Sequence, residues 1–151
     1  MHFFRSLLAI DESTGNVVVN IESRILLLLR ESDCLLKMNF EMPIIAKTIL
    51  AKRDHFTLVK DSLRLVLDDF VTAAKRVKLE VRPLLLPHLM SVASLLKPAL
   101  TTITWTQPDW KDFCHDTREK IKNFDILITR VHDVYTNRYC KKNQFYFYRL
   151  L

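Results

Sequence analysis

The stretch DHFTLVKDSLRLVLDDFVTAAKRV, residues 54–77, places Phe56, Val59, Leu63, Val66, Phe70, Ala73 and Val77 at alternating steps of three and four without a miss. That spacing keeps the apolar side chains on one side of an α-helix and does not fit the two-residue alternation of a half-buried strand. Asp54 is positioned to cap the helix, because its carboxylate can accept from first-turn N–H groups that have no partner inside the helix. A second stripe of the same kind runs through Trp110, Cys114, Thr117, Ile121, Phe124, Ile128, Val131 and Tyr135. It predicts a helix from Asp109, just past Pro108, to Arg138, roughly 45 Å long at 1.5 Å per residue. A helix of that length with one stripe needs a partner along it, and a three–four repeat packs against neighbours as bundles and shallow coiled coils do.

The remaining helices are shorter. Asn20 can cap one that runs to about Met38, with Ile21, Ile25, Leu28, Ser32 and Leu35 in step. Pro43 suits the first turn of the next, through Ile45 and Ile49, since its missing N–H would be unpaired there. Pro83 and Pro87 restart the chain as a helix with Leu85, Leu89, Val92 and Leu96 on one face, and Pro98 ends it. Thr101 to Thr106 is a β-branched connector containing Trp105. At the N-terminus, the turn-like Asp11-Glu12-Ser13-Thr14-Gly15-Asn16 followed by Val17-Val18-Val19 predicts a short hairpin. The expected fold is therefore all-α: an elongated bundle of about four to five helices with a short N-terminal β-hairpin. Residues 1–20 form the hairpin extension, 21–138 the bundle, and 139–151 a basic aromatic tail, disordered or docked on a partner.

Composition agrees with helices and narrows the function. Gly15 is the only glycine. A triphosphate site wraps backbone N–H groups around phosphates through a glycine-rich loop, and a dinucleotide fingerprint needs three glycines, so neither can be written here. The net charge of +6 comes largely from residues 138–151, where Arg138, Lys141, Lys142 and Arg149 stand with no acid. The other 137 residues carry 19 basic against 17 acidic side chains, interspersed as on a solvated helical surface. Three widely spaced cysteines, Cys34, Cys114 and Cys140, imply reduced, intracellular thiols. The longest apolar run, Ile25 to Leu29, falls far short of the roughly 20 residues that span a bilayer, so no membrane segment is expected.

No candidate chemistry survives its geometry. Cys114, His115, His132 and Cys140 are zinc-ligand types, yet Cys114 and His132 lie about 27 Å apart along one predicted helix, whereas ligands converge within about 2.3 Å of zinc. Cys114 and the adjacent His115 point about 100° apart and cannot act as nucleophile and base. His88 or His132 could reach Cys114 only through the fold. Asp68 with Asp69, and Asp112 with Asp116, read as solvated faces, Arg64–Asp68 and Asp116–Lys120 being spaced as i,i+4 ion pairs. No catalytic, cofactor or metal site is expected, and the chain is not expected to be an enzyme.

Three stretches in order, VVVNIESRILLLLRESDCLLKMNFEMP at 17–43, VRPLLLPHLMSVASLLKPALTTITWT at 81–106 and FCHDTREKIKNFDILITRVHDVYTNR at 113–138, resemble the N-terminal tail of dynein heavy chains, most of all the axonemal ones. The most specific piece is Leu100-Thr101-Thr102-Ile103-Thr104-Trp105. The resemblance covers about residues 17–138 and implies a segment of the helical stem that joins the motor to its anchoring site. It implies heavy-chain association, partners among dynein intermediate and light chains, and a place in the cytoplasm, cytoskeleton and ciliary or flagellar axoneme. The motor's ATPase and the microtubule-binding stalk belong to other parts of that family's chains. Against those long chains the sequence is expected to be a fragment, a truncated gene model or a degenerate copy, one that self-associates when isolated. Neither nucleic acid nor membrane is an expected partner. The alternative is a free-standing helical interaction module whose basic tail, residues 139–151, recruits an acidic partner.

Overall fold

The computed structural model describes the backbone of residues 5–149 and the side chains of residues 5–138. Its elements run β1 (Leu8–Ile10), β2 (Val17–Val19), α1 (Ser23–Lys37), α2 (Ile44–Ala51), α3 (Arg53–Arg76), α4 (Arg82–Ser94), α5 (Lys97–Thr101) and α6 (Trp110–Arg149). The fold is helical with a short antiparallel hairpin, as the stripes and the glycine count predict. Two compact units form, one from Met1–Leu67 with Pro98–Cys114 and the other from Asp68–Lys97 with His115–Leu151. Helices α3 and α6 contribute residues to both.

In the first unit the hairpin pairs Leu8 with Val19, Ala9 with Val18 and Ile10 with Val17. Its turn forms because Asp11 accepts from the Ser13 N–H at 3.0 Å and the Ser13 and Thr14 hydroxyls at 2.7 and 3.0 Å. Gly15 then takes φ +71°, a left-handed conformation that costs glycine nothing. The connector after α5 lies along the start of the chain: Leu7 N–H donates to Ile103 O at 3.0 Å, and Ser6 and Thr104 form an antiparallel bridge. Leu7 and Leu8 are fully buried beneath this layer, together with Phe56, Val59 and Leu63 of α3. Burying a large apolar side chain fully contributes about 1.5–3 kcal/mol, and Ile49, Val66, Trp105, Trp110 and Phe113 add to the same unit's core.

Helix α1 departs from expectation at its start. Its N-cap is Glu22, with no side-chain cap bond, and Asn20 is occupied elsewhere. The Asn20 side-chain amide donates to Ser6 O at 3.0 Å, a tertiary bond that takes it away from the helix end, while the Asn20 backbone carbonyl accepts from the Trp105 indole at 2.8 Å. At the other end Asn39 takes φ 58°, Asn39 N–H donates to Leu36 O and Phe40 N–H donates to Leu35 O. These two bonds are the Schellman termination, in which a left-handed residue satisfies the last helical carbonyls. Pro43 is the N-cap of α2, one position earlier than the first turn, and the side of α2 that is buried carries Ala46 and Ile49 while Ile45 is exposed. Asp54 does not cap α3, which begins at Arg53 one residue after α2 ends, so Asp54 lies inside the first turn.

The second unit is built on the outer parts of both long stripes. Ala73 of α3, Leu85 and Val92 of α4, and Ile121, Phe124 and Ile128 of α6 are buried. Pro83 sits in the first turn of α4 and Pro87 is carried within it. Helix α4 ends at Ser94, ahead of Pro98, and Pro98 is the second residue of the short α5, where the first turn of a helix tolerates a missing N–H. By length and composition alone, Arg82–Thr101 could cross a bilayer. However, it leaves the helix at Leu95 and Leu96, and Leu85, Val92 and Leu96 are buried in protein.

Three ion pairs among the described residues tie different helices together, and none is an i,i+4 pair of the kind expected from spacing. Arg118 donates to Asp69 at 2.8 Å, Arg76 bonds Asp125 and also Thr129 at 2.9 Å, and Arg53 bonds Asp33 of α1. All are partly exposed, which holds each to about 0.2–1 kcal/mol. Helix α6 runs past Arg138 to Arg149, since no glycine or proline follows Pro108 to stop it. The expectation for the 139–151 side chains lies outside the described residues.

Candidate interaction surface

The residues weighed for chemistry are dispersed. Cys114 is buried in the first unit while its neighbour His115 is exposed. His132, half-buried, takes the Lys78 N–H on Nε2 at 3.4 Å. Asp69 and Asp125 are held by arginines, as above. Among the described residues no three His, Cys, Asp or Glu side chains are grouped to share a metal ion.

Trp105 is where the chain converges. Its indole N–H donates to Asn20 O, its ring lies 6.0 Å from that of Phe56, and its carbonyl is 3.3 Å from His55 Nε2. Its own N–H donates to Arg5 O at 3.4 Å. Four segments far apart in sequence are thereby joined at one residue, the indole reaching the entry to α1 and the first turn of α3 while the Trp105 backbone reaches the N-terminal extension and His55. The bulk of an indole fills the space between them, and its single donor meets a carbonyl that burial would otherwise leave costly.

The outer surface of this unit is apolar where α1 turns into α2. Met38 is 64% exposed, Phe40 59%, Ile44 82% and Ile45 62%. Single exposed apolar residues are ordinary on a monomer, whereas here four large ones follow one another across one helix–helix corner. Beside it lies a groove of about 580 Å³ lined by Ile25 and Leu28 of α1, Pro43, Ile45 and Ala46 at the start of α2, and the charged side chains of Arg5, Glu22 and Arg24. The sequence did not signal this groove, because Arg5, Arg24 and Ile45 belong to no shared local pattern.

Asp11, in the hairpin turn, has its pKa lowered from the ordinary value. Hydrogen bonds from the Ser13 hydroxyl and N–H, then from Thr14, lower it. It serves the hairpin turn and faces no cleft.

What the fold and surface define is a helical packing segment, with a tied connector on one side and apolar side chains left outward on another. The chain belongs to the family of dynein heavy chain N-terminal region 1, whose model matches residues 2–113. Dynein axonemal heavy chain 5 of Rattus norvegicus is 32% identical over 133 residues, which is 85% of this chain and 4% of that protein. Dynein axonemal heavy chain 8 of Mus musculus is 27% identical over 121 residues, 80% of this chain and 3% of the relative. The flagellar outer-arm dynein gamma chain of Chlamydomonas reinhardtii is 24% identical over 132 residues, 87% of this chain and again 3% of the relative. The chain thus spans only a few per cent of the length of these relatives.

Proposed function

We propose that this chain is a structural, non-catalytic segment of a dynein heavy-chain tail in an axonemal, microtubule-based motor. Its task is to associate with other heavy-chain segments and to support docking of intermediate and light chains in cilia or flagella. The observation that carries this reading is the large apolar side chains left exposed from Met38 to Ile45, within the very region that matches the heavy-chain tail family. Burying such side chains against a neighbouring helix gains about 25 cal/mol per Å² of apolar surface, enough to drive assembly once a standard interface area is covered. Force would pass along the packed helices, and ATP turnover would belong to other parts of the heavy chain.

The test is association of the purified chain with axonemal heavy-chain tail segments and with dynein intermediate chain, read by analytical ultracentrifugation alongside light scattering and binding of an apolar dye. Complex formation with a tail segment and strong dye binding are expected. A sharp monomer peak with little dye binding and no complex would sink the reading. Loss of a salt-sensitive partner on deletion of residues 139–151 would instead favour a free-standing module with a basic recruiting tail.

A further inference from the structure

The geometry points to the groove between α1 and α2 as the seat of an amphipathic helix whose apolar stripe is flanked by carboxylates. The assignment deepens the tail reading, on which it rests, by naming the site and chemistry of one partner. Three observations carry it. The groove has an apolar lining, in Ile25, Leu28, Pro43, Ile45 and Ala46, and its 580 Å³ admits a row of side chains rather than a single one. It lies between two helices, where a third can lay its apolar face by the helix-in-groove mode, with anchors at i, i+3, i+4 and i+7. Finally, both arginines in its lining, Arg5 and Arg24, are exposed, border the apolar lining and make no ion pair among the described residues, which leaves their guanidinium groups available to an incoming carboxylate.

Unpaired guanidinium groups beside an apolar groove select for carboxylate on the incoming helix, since each offers a planar fork that fits a carboxylate bidentately. A lysine-flanked helix would meet Arg5 and Arg24 with like charge. Glu22 opposes them, so a partner must place its acids toward the two arginines and away from Glu22. The groove also shares Arg5, Glu22 and Ile25 with a smaller pocket floored by Phe56 and Trp105, which gives the site an intrinsic fluorescent reporter.

The probes are two synthetic helical peptides with the same leucine stripe, one flanked by glutamate and one by lysine, titrated into the full chain. Trp105 emission and fluorescence anisotropy of the labelled peptide are the readouts. The glutamate peptide is expected to saturate with at least about tenfold higher affinity than the lysine peptide, and to weaken as salt rises. Arg5→Glu with Arg24→Glu should reverse that preference, and Glu22→Gln should tighten the glutamate peptide. Ile45→Glu, at an exposed position that the fold tolerates, should abolish binding of both while circular dichroism is unchanged. Equal affinity for the two peptides, no saturable binding, or a preference that survives the charge reversal would overturn the assignment. So would a homodimer that Ile45→Glu dissolves and the peptide cannot displace, because the occupant is then a second copy. Association with heavy-chain tail segments is measured in parallel. If it persists while the peptides fail, the groove is wrong and the tail reading stands. Charge-selective peptide binding without association to any dynein component leaves the groove and removes the tail reading.

Discussion

Trp105 shows how one residue, through its indole and its backbone, can hold together segments whose local signals are mostly helical. The sequence singles it out as the distinctive end of the connector, but its partners, Asn20, Phe56, His55 and Arg5, are invisible there because nothing in local periodicity encodes an approach between distant segments. Trp105→Ala removes the ring and leaves a cavity, so a loss of about 3–5 kcal/mol in urea unfolding is expected. Trp105→Phe keeps most of the volume and orphans the Asn20 carbonyl, for a loss of about 1–3 kcal/mol. If the two substitutions cost the same, the indole hydrogen bond contributes nothing. Asp11 behaves differently, since its bonds are exposed and its effect is local. Its folded pKa is lowered, so the stabilisation is present above the unfolded value and is lost as pH falls through the folded one. The Ser13 amide resonance should therefore hold steady from neutral pH until below the ordinary aspartate range and then shift, and Asp11→Asn should abolish that acid transition. A transition at or above the ordinary range would contradict the turn's hydrogen bonding.

The helices divide by how strictly their apolar residues repeat. In α3 the three–four repeat runs unbroken, and Phe56, Val59, Leu63 and Val66 are all buried where the stripe places them, whereas Leu58 and Leu65 between them are exposed. Leu63→Ala should therefore lower stability by about 2–5 kcal/mol, while Leu65→Ala, a chemically identical change one half-turn away, should stay within about 0.5 kcal/mol. Similar unfolding midpoints for the two variants would refute a single buried seam. Helix α2 lies where the sequence predicts, but its inward side is the converse case: Ile44, Ile45, Ile49 and Leu50 are all apolar, so no period selects that side, and packing puts Ala46 and Ile49 there. Helix starts were the least legible feature. Asn20 and Asp54 have the right chemistry for caps, but the Asn20 side chain is claimed by Ser6, and the one-residue α2–α3 junction leaves no room for a cap at Asp54. The Schellman stop at Asn39 rests on a residue that adopts the left-handed region more readily than most, and glycine scarcity hid it.

Taken together, the chain combines little net repulsion over most of its length with apolar surface that its own helices do not cover. Residues 1–137 carry 19 basic and 17 acidic side chains, a net of +2, and Arg138, Lys141, Lys142 and Arg149 raise the total to +6. Exposed apolar side chains such as Ile44 and Met38 favour association, and net charge is what opposes it in a protein without other solubilising features. The four cations of the C-terminal stretch should therefore restrain self-association at low ionic strength. Replacing all four with glutamine lowers the net charge to +2 and keeps helix-compatible residues. The variant should then associate at lower protein concentration than the native chain in dilute buffer. Because the Debye length falls to about 3 Å in 1 M salt, the native chain should converge on the variant as salt rises. Replacing Ile44 and Ile45 with lysine should suppress association in both backgrounds without moving the unfolding midpoint, since neither side chain belongs to the core. Sedimentation velocity across a salt series reads all of these together. Association that is indifferent to the four cations but abolished at Ile44 and Ile45 would leave the apolar corner as its sole determinant and remove any role for charge.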